Sequence, residues 1–257
     1  FIRFLLPLFP TAAQHPVIVT TMLILGLIGI IYTALVAAVQ PDAKKLVAYT
    51  SVAHMGFVVL GVFALTVNGL QGGLIVMISH GLSTGALFLL LGMLYERRHT
   101  RTIADFGGIG RVAPWFATAF VITALAAIGV PGTSGFIGEF LTLLGTFETH
   151  PVIAIFATLG VIFAAYYMLP MVQSVFFNEL EAPENREVKD LTPREITILA
   201  PLCALMIWIG WNPTPFLDRM ELSVRTVIER VESAPPMTQA LGELGEDTDE
   251  HQPEEAD

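Results

Sequence analysis

Cysteine is almost absent from this chain, with one residue, Cys203, in 257. A lone thiol in an apolar segment supplies neither half of a disulfide nor the ligand set of a zinc or iron-sulfur site, so it reads as a packing residue. Charge is scarce as well: 14% of residues are charged and 54% are hydrophobic. Such a composition excludes an ordinary soluble domain and offers no basic surface for nucleic acid. The formal charge of -10 is a property of the end of the chain, because eight acids lie in 233–257. Without them the net charge is about -2. That acidic tail has no aromatic residue and too little apolar surface to order itself, and it reads as disordered. The sequence opens at Phe1 with no Met and no cationic flank, unlike a signal peptide. It reads as the C-terminal part of something longer.

What remains is a set of apolar runs of membrane-spanning length. After a stub at 1–9, six segments fall at about 16–39, 44–66, 71–95, 113–147, 152–177 and 195–213. The expectation is an all-α, polytopic transmembrane bundle over 1–213, with one helix broken. A short amphipathic or interfacial helix follows at 214–232, where apolar residues recur among charges. The connections alternate in charge. Those holding Lys44 and Lys45, then Arg97, Arg98, Arg101 and Arg111, then Arg186, Lys189 and Arg194 all fall on one side by parity, while the others carry no Lys or Arg. The positive-inside rule puts the basic loops in the cytoplasm and both ends of the chain on the opposite face of the cell inner (plasma) membrane.

The break lies in the run 113–147, which as ideal helix would extend roughly 50 Å where a bilayer core needs about 30 Å. Within it stands Gly129-Val-Pro-Gly-Thr-Ser-Gly135. Pro131 removes a backbone donor and frees carbonyls, and Gly129, Gly132 and Gly135 allow a hinge. Membrane proteins tolerate freed backbone only where protein or water satisfies it, and interrupted helices of this kind commonly frame ion sites. Glu139 follows directly. A carboxylate there costs several kcal/mol in lipid unless it protonates, pairs or meets water, so it is the leading candidate for function. The plainer reading is a protonated glutamate that caps the freed backbone.

Two histidines fall near the middle of their segments. His54 lies nine residues beyond Lys45, about 14 Å along a helix, with Thr50 and Ser51 on its face; His80 has Ser83 and Thr84 on its own. Stripes of histidine and hydroxyl can order water and pass protons, since imidazole changes charge near neutrality. Alternatively, each histidine simply bonds a neighbouring helix. No metal site is supported. Lys44 and Lys45 read as interfacial anchors, one of them open to a role at a proton entrance or exit.

Four stretches together resemble a known family: Asp42-Ala-Lys-Lys-Leu-Val-Ala-Tyr-Thr-Ser-Val-Ala-His-Met-Gly-Phe57, Ser79-His-Gly-Leu82, Tyr95-Glu-Arg-Arg-His-Thr-Arg101 and Pro131-Gly-Thr-Ser-Gly-Phe-Ile-Gly-Glu-Phe140. They are similar to the antiporter-like membrane subunits of respiratory complex I, nearest to the M-type branch, over Phe1 to about Val231. The resemblance implies a fourteen-helix fold with two inverted repeats, of which this chain holds the last six helices and the second repeat. It implies that Glu139 is the glutamate of the second broken helix and that His54 and His80 belong to a central hydrophilic axis. A glutamate and two lysines on earlier helices would precede Phe1, leaving half a channel here. The implied function is proton translocation coupled to NADH-to-quinone electron transfer. The resemblance also implies no cofactor in this chain, flavin and iron-sulfur clusters in partner subunits, and as its own partners other complex I membrane subunits, the lipid bilayer and protons. A multisubunit cation/proton antiporter or membrane-bound hydrogenase subunit is the nearest alternative, and an inert membrane spacer is another.

Overall fold

The structure, a computed structural model, describes residues 1–235, in which every regular element is helical. The acidic tail from 236 onward lies outside the described residues. Two short turns, α1 (Leu5–Leu8) and α2 (Pro10–Ala13), precede the long helices α3 (Pro16–Ala38), α4 (Ala43–Phe63) and α5 (Val67–Arg98). The interrupted pair α6 (Pro114–Ile128) and α7 (Ser134–Thr149) comes next, then α8 (Pro151–Val172), which ends in a wide π-type turn at Gln173–Phe177. A short α9 (Pro183–Arg186), α10 (Pro193–Trp211) and α11 (Thr214–Glu232) complete the described elements. Five of these helices are long and apolar enough to cross a membrane.

The starts of the helices are written locally. Proline occupies the first turn of α3, α6, α8 and α10, where its missing N–H costs nothing. Asp42 accepts from the Lys45 amide, Thr66 from Gly69, and Thr192 and Glu195 form a reciprocal capping box.

α6 and α7 make the sixth crossing between them, and their register against α5 shows it. Gly69 of α5 meets Gly145, Gly72 meets Thr142, and Val76 meets Gly138. Ser79 bonds Ser134. Beyond the interruption Ala86 shares a cluster with Ala126, and Arg97 lies over the Phe116 ring. The broken pair therefore runs antiparallel to α5 along its whole length without losing step. Glycine makes the α5–α7 contact this close: a Cβ on Gly72 would overlap the backbone of Leu141 and Thr142, and one on Gly145 the backbone of Gly69.

α5 is longer than the expected 71–95. It begins at Val67 and runs through Asn68, Gly69, Gly72 and Gly73, so the α4–α5 connection is 64–66 rather than 67–70. Gly69 read as loop in sequence, yet it is a packing position inside a helix.

The three basic connections gather at one end of the bundle. There Arg97 pairs with Glu195 at 2.7 Å, Arg98 donates to Asn185, and Asp190 accepts from the Trp115 and Phe116 amides that open α6. At the other end Asn68 donates to Glu148, and α11 lays Val224 and Ile228 against Leu70. The exposed Arg225–Glu221 pair flanks that buried face, so α11 is amphipathic and lies on the bundle's end.

Candidate functional site

The interruption sets the site. Ile128 ends α6, and Gly129 takes a left-handed φ of 77°. An α-helix continuing past Ala127 would bond that carbonyl to the N–H of residue 131, but residue 131 is proline. The Ala127 carbonyl is free, and His54 takes it: Nε2 of α4 lies 2.9 Å from Ala127 O. A carbonyl only accepts, so Nε2 carries the hydrogen and Nδ1 of the neutral ring is the acceptor. That Nδ1 is buried and has no protein partner.

Glu139, one turn and a half into α7, is 4% exposed. Its Oε1 stands 3.6 Å from His54 Nε2. Its Oε2 packs on Gly129, where an added Cβ would come within 2.5 Å of the carboxylate. Gly129 is thus required twice, by its φ and by its neighbour. Gly135 holds α7 close to the end of α6, since a Cβ there would strike the Ala126 carbonyl. Gly132 has a φ of 92° with open space around it, and Pro131 is exposed on the turn. The Val130 carbonyl accepts from both the amide and the hydroxyl of Thr133, which closes the turn.

His80 of α5 completes the cluster. Its ring centroid is 5.3 Å from that of His54, and its Nδ1 lies 2.9 Å from the Thr84 hydroxyl. Ser79 and Ser134 share a buried hydroxyl pair at 2.7 Å beside it. A cavity of about 10 Å³, lined by His54, Ser79, His80, Ser83 and Glu139 among others, joins these groups. That is about the space of one water, which the polar lining would hold with two to four bonds. Three ionisable side chains from three helices thus converge inside an apolar bundle. One carboxylate and two imidazoles can exchange protons over such separations through one water.

Of the residues singled out in the sequence, Glu139, His54 and His80 are brought together, and Gly129, Pro131, Gly132 and Gly135 form the turn beside them. Lys44 and Lys45 are not part of the cluster. They are exposed in the first turn of α4, about 14–15 Å along that helix from His54. Ser134 and Thr142 escaped the sequence reading as site residues. Ser134 appeared there only as a flank of the break; Thr142, whose buried hydroxyl has no protein partner, follows Glu139 by three residues and so shares its face. Among the described residues no group of three or more His, Cys, Asp or Glu is arranged to hold a metal.

Subunit M of the NADH-quinone oxidoreductase of Rhodobacter capsulatus is 45% identical over 229 residues, covering 89% of this chain and 44% of that protein. Chain 4 of the NADH-ubiquinone oxidoreductase of Chondrus crispus is 41% identical over 233 residues, covering 90% and 46%. This chain spans about half the length of the curated relatives it matches. Among solved structures, a chain of respiratory complex I from Thermus thermophilus with bound NADH superposes with a TM-score of 0.84 at 38% identity, over 90% of this chain and 48% of that one. A chain of the Mrp complex from Dietzia sp. DQ12-45-1b gives 0.75 at 19% identity, over 90% and 52%, a likeness of fold alone. A broken helix packed in register on α5, a carboxylate behind the break and this level of identity agree with the family model that matches residues 1–164: the chain belongs to the NADH:quinone oxidoreductase/Mrp antiporter transmembrane family.

Proposed function

We propose that this chain is part of a proton-translocating membrane subunit of an NADH-quinone oxidoreductase, and that Glu139, His54 and His80 carry the proton through its centre. The observation that carries the reading is the Glu139 carboxylate, buried behind the broken helix and 3.6 Å from an imidazole. A neutral His54 holds its Nε2 hydrogen on Ala127. A proton arriving at the free Nδ1 makes an imidazolium, and an ionised Glu139 then faces a cation at contact distance. Such a pair at about 4 Å attracts by about 4 kcal/mol at an effective dielectric of about 20, comparable with the cost of keeping the carboxylate charged in the bundle. Because the two terms are close, a proton arriving or leaving changes which charge state is favoured. His80, beside His54, passes the proton on across the shared cavity.

Electron transfer, with its flavin and iron-sulfur clusters, belongs to partner subunits in this reading, and the neighbours of the chain are other membrane subunits and lipid. The basic end faces the cytoplasm by the positive-inside rule, in a bacterial inner membrane. Lys44 and Lys45 mark the aqueous end of α4, outside the relay itself. The fold likeness to an Mrp complex at 19% identity is too distant to favour the antiporter reading over this one.

The test is Glu139→Gln in the membrane complex that carries this chain, with NADH-driven quinone reduction and proton pumping measured together. Glutamine keeps size and hydrogen bonding and removes titration. The expected result is an assembled complex with pumping lowered at least about tenfold, that is, by more than about 1.4 kcal/mol, and quinone reduction falling with it. Wild-type rates of both would make Glu139 structural.

A further inference from the structure

A second feature lies well away from the proton cluster, at the basic end. Between the start of α4, the last turns of α5 and the connection after it is an open cleft of about 360 Å³. Its inner wall is apolar, built from Phe88, Leu91 and Leu94 of α5 with Phe106 behind them. Gly92 lies in that wall on an exposed helix face, and a Cβ added there would meet nothing within 4 Å. The mouth is cationic. Lys44 and Arg101 line it, both exposed, with Tyr95 and Thr100 between the wall and the charges. The Arg101 guanidinium lies 5.5 Å from the Tyr95 ring centroid, and Asp42, 3.8 Å from it, is the carboxylate closest to hand. Lys44 and Arg101 are the charged residues of the lining and both are cations; Asp42 and Asp105, the latter accepting from the Thr100 hydroxyl, stand beside it.

Depth identifies the occupant. From Arg98 at the end of α5 to Phe88 is ten residues, about 15 Å, which is half the thickness of a bilayer core. The cleft therefore runs from the headgroup level to the depth of one leaflet, with charge at the top and hydrocarbon below. Basic pockets between membrane helices suit anionic lipid headgroups, and 360 Å³ is within the range of ligand sites. We infer that this cleft is a binding site for one anionic phospholipid, its phosphate between Lys44 and Arg101 and an acyl chain along Phe88, Leu91 and Gly92. A free phosphate would use the mouth and leave the apolar wall bare; a neighbouring polypeptide helix would cover the wall and leave the cations without an anion.

The test uses the membrane complex in vesicles of phosphatidylcholine doped with a photoreactive lipid, diazirine-tagged on its acyl chain, carrying either a phosphatidylglycerol or a phosphatidylcholine headgroup. Labelling of the peptide containing Phe88 to Tyr95 is mapped by mass spectrometry and referred to α8, whose Ile155 and Ile162 are exposed to the surroundings. The expected result is at least about fivefold preference for the anionic lipid at that peptide, unaffected by excess inorganic phosphate. In Lys44→Gln/Arg101→Gln the preference falls to that of α8. Gly92→Leu, which fills the wall without touching a charge, lowers labelling by both lipids. Equal labelling by the two lipids, a preference retained in both variants, displacement by inorganic phosphate, or cross-linking of that peptide to another polypeptide in place of lipid would each overturn the proposal.

Discussion

Glu139 and Gly129 are a single unit. The carboxylate lies on a residue that has no side chain and a φ of 77°, so the two cannot be altered independently. Gly129→Ala adds a methyl group to a left-handed position, about 1–2 kcal/mol, and also pushes it into Oε2. Gly132→Ala meets only the backbone cost, because the space around it is open. The complex carrying Gly129→Ala is therefore expected to melt several degrees below the one carrying Gly132→Ala, and to lose pumping where Gly132→Ala retains most of it. Thermal unfolding in detergent and a pumping assay check both. Much of this site was legible in the sequence because membrane burial leaves few ionisable residues to choose among. Glu139, His54 and His80 are the ionisable residues that fall mid-segment, and a glycine-proline break is unmistakable in an apolar run. The bond from His54 to Ala127 was not legible, because it joins two helices 73 positions apart and nothing local records their register. Ser134 and Thr142 were hidden for the same reason: a hydroxyl in an apolar helix is ordinary until its neighbour is known.

At the scale of the helix, the interruption in α6–α7 has a specific consequence for α4. Proline at position 131 withholds the donor that would otherwise close on Ala127, and His54 fills the vacancy. Pro131→Ala restores an N–H that competes for that carbonyl. We expect the helix to extend past Ile128, His54 to lose its fixed orientation, and pumping to fall while Glu139 remains in place. A histidine nitrogen resonance that shifts in Pro131→Ala reads this directly; an unchanged His54 environment would mean that the proline serves the turn alone. The crossings themselves were readable from hydropathy, and their parity from the arginines and lysines. The start of α5 was not, nor was the form in which α8 ends. α5 starts four residues before the expected 71, because Gly69 serves contact with α7 and not flexibility. The run to 177 ends in a π-type turn, where Val175 and Phe176 are drawn into the core against Phe116 and Phe120; hydropathy reports the burial and is silent about the turn.

For the molecule as a whole, the basic end is a tied surface and the opposite end a covered one. Arg97 is the knot: its guanidinium makes a two-pronged bond to Glu195 and reaches the carbonyls of Met93, Lys189 and Asp190. Both partners of the ion pair are 15% exposed, so salt screens it little. Arg97→Gln leaves Glu195 and three carbonyls short of donors. With hydrogen bonds to charged groups at about 1.5–3 kcal/mol each, the loss is expected to exceed about 2 kcal/mol and to show as a lower melting temperature that moderate salt does not rescue. This rigidity at one end leaves charge movement to the centre, where Glu139, His54 and His80 meet around a small cavity. The most direct measurement of that claim is infrared difference spectroscopy of the membrane complex between resting and NADH-driven states, wild type against Glu139→Gln. A carboxyl C=O band that changes with turnover in the wild type and is missing from the variant is the predicted result. A spectrum in which the two proteins show the same carboxyl changes would mean that Glu139 keeps one protonation state throughout, and the relay proposed here would be contradicted.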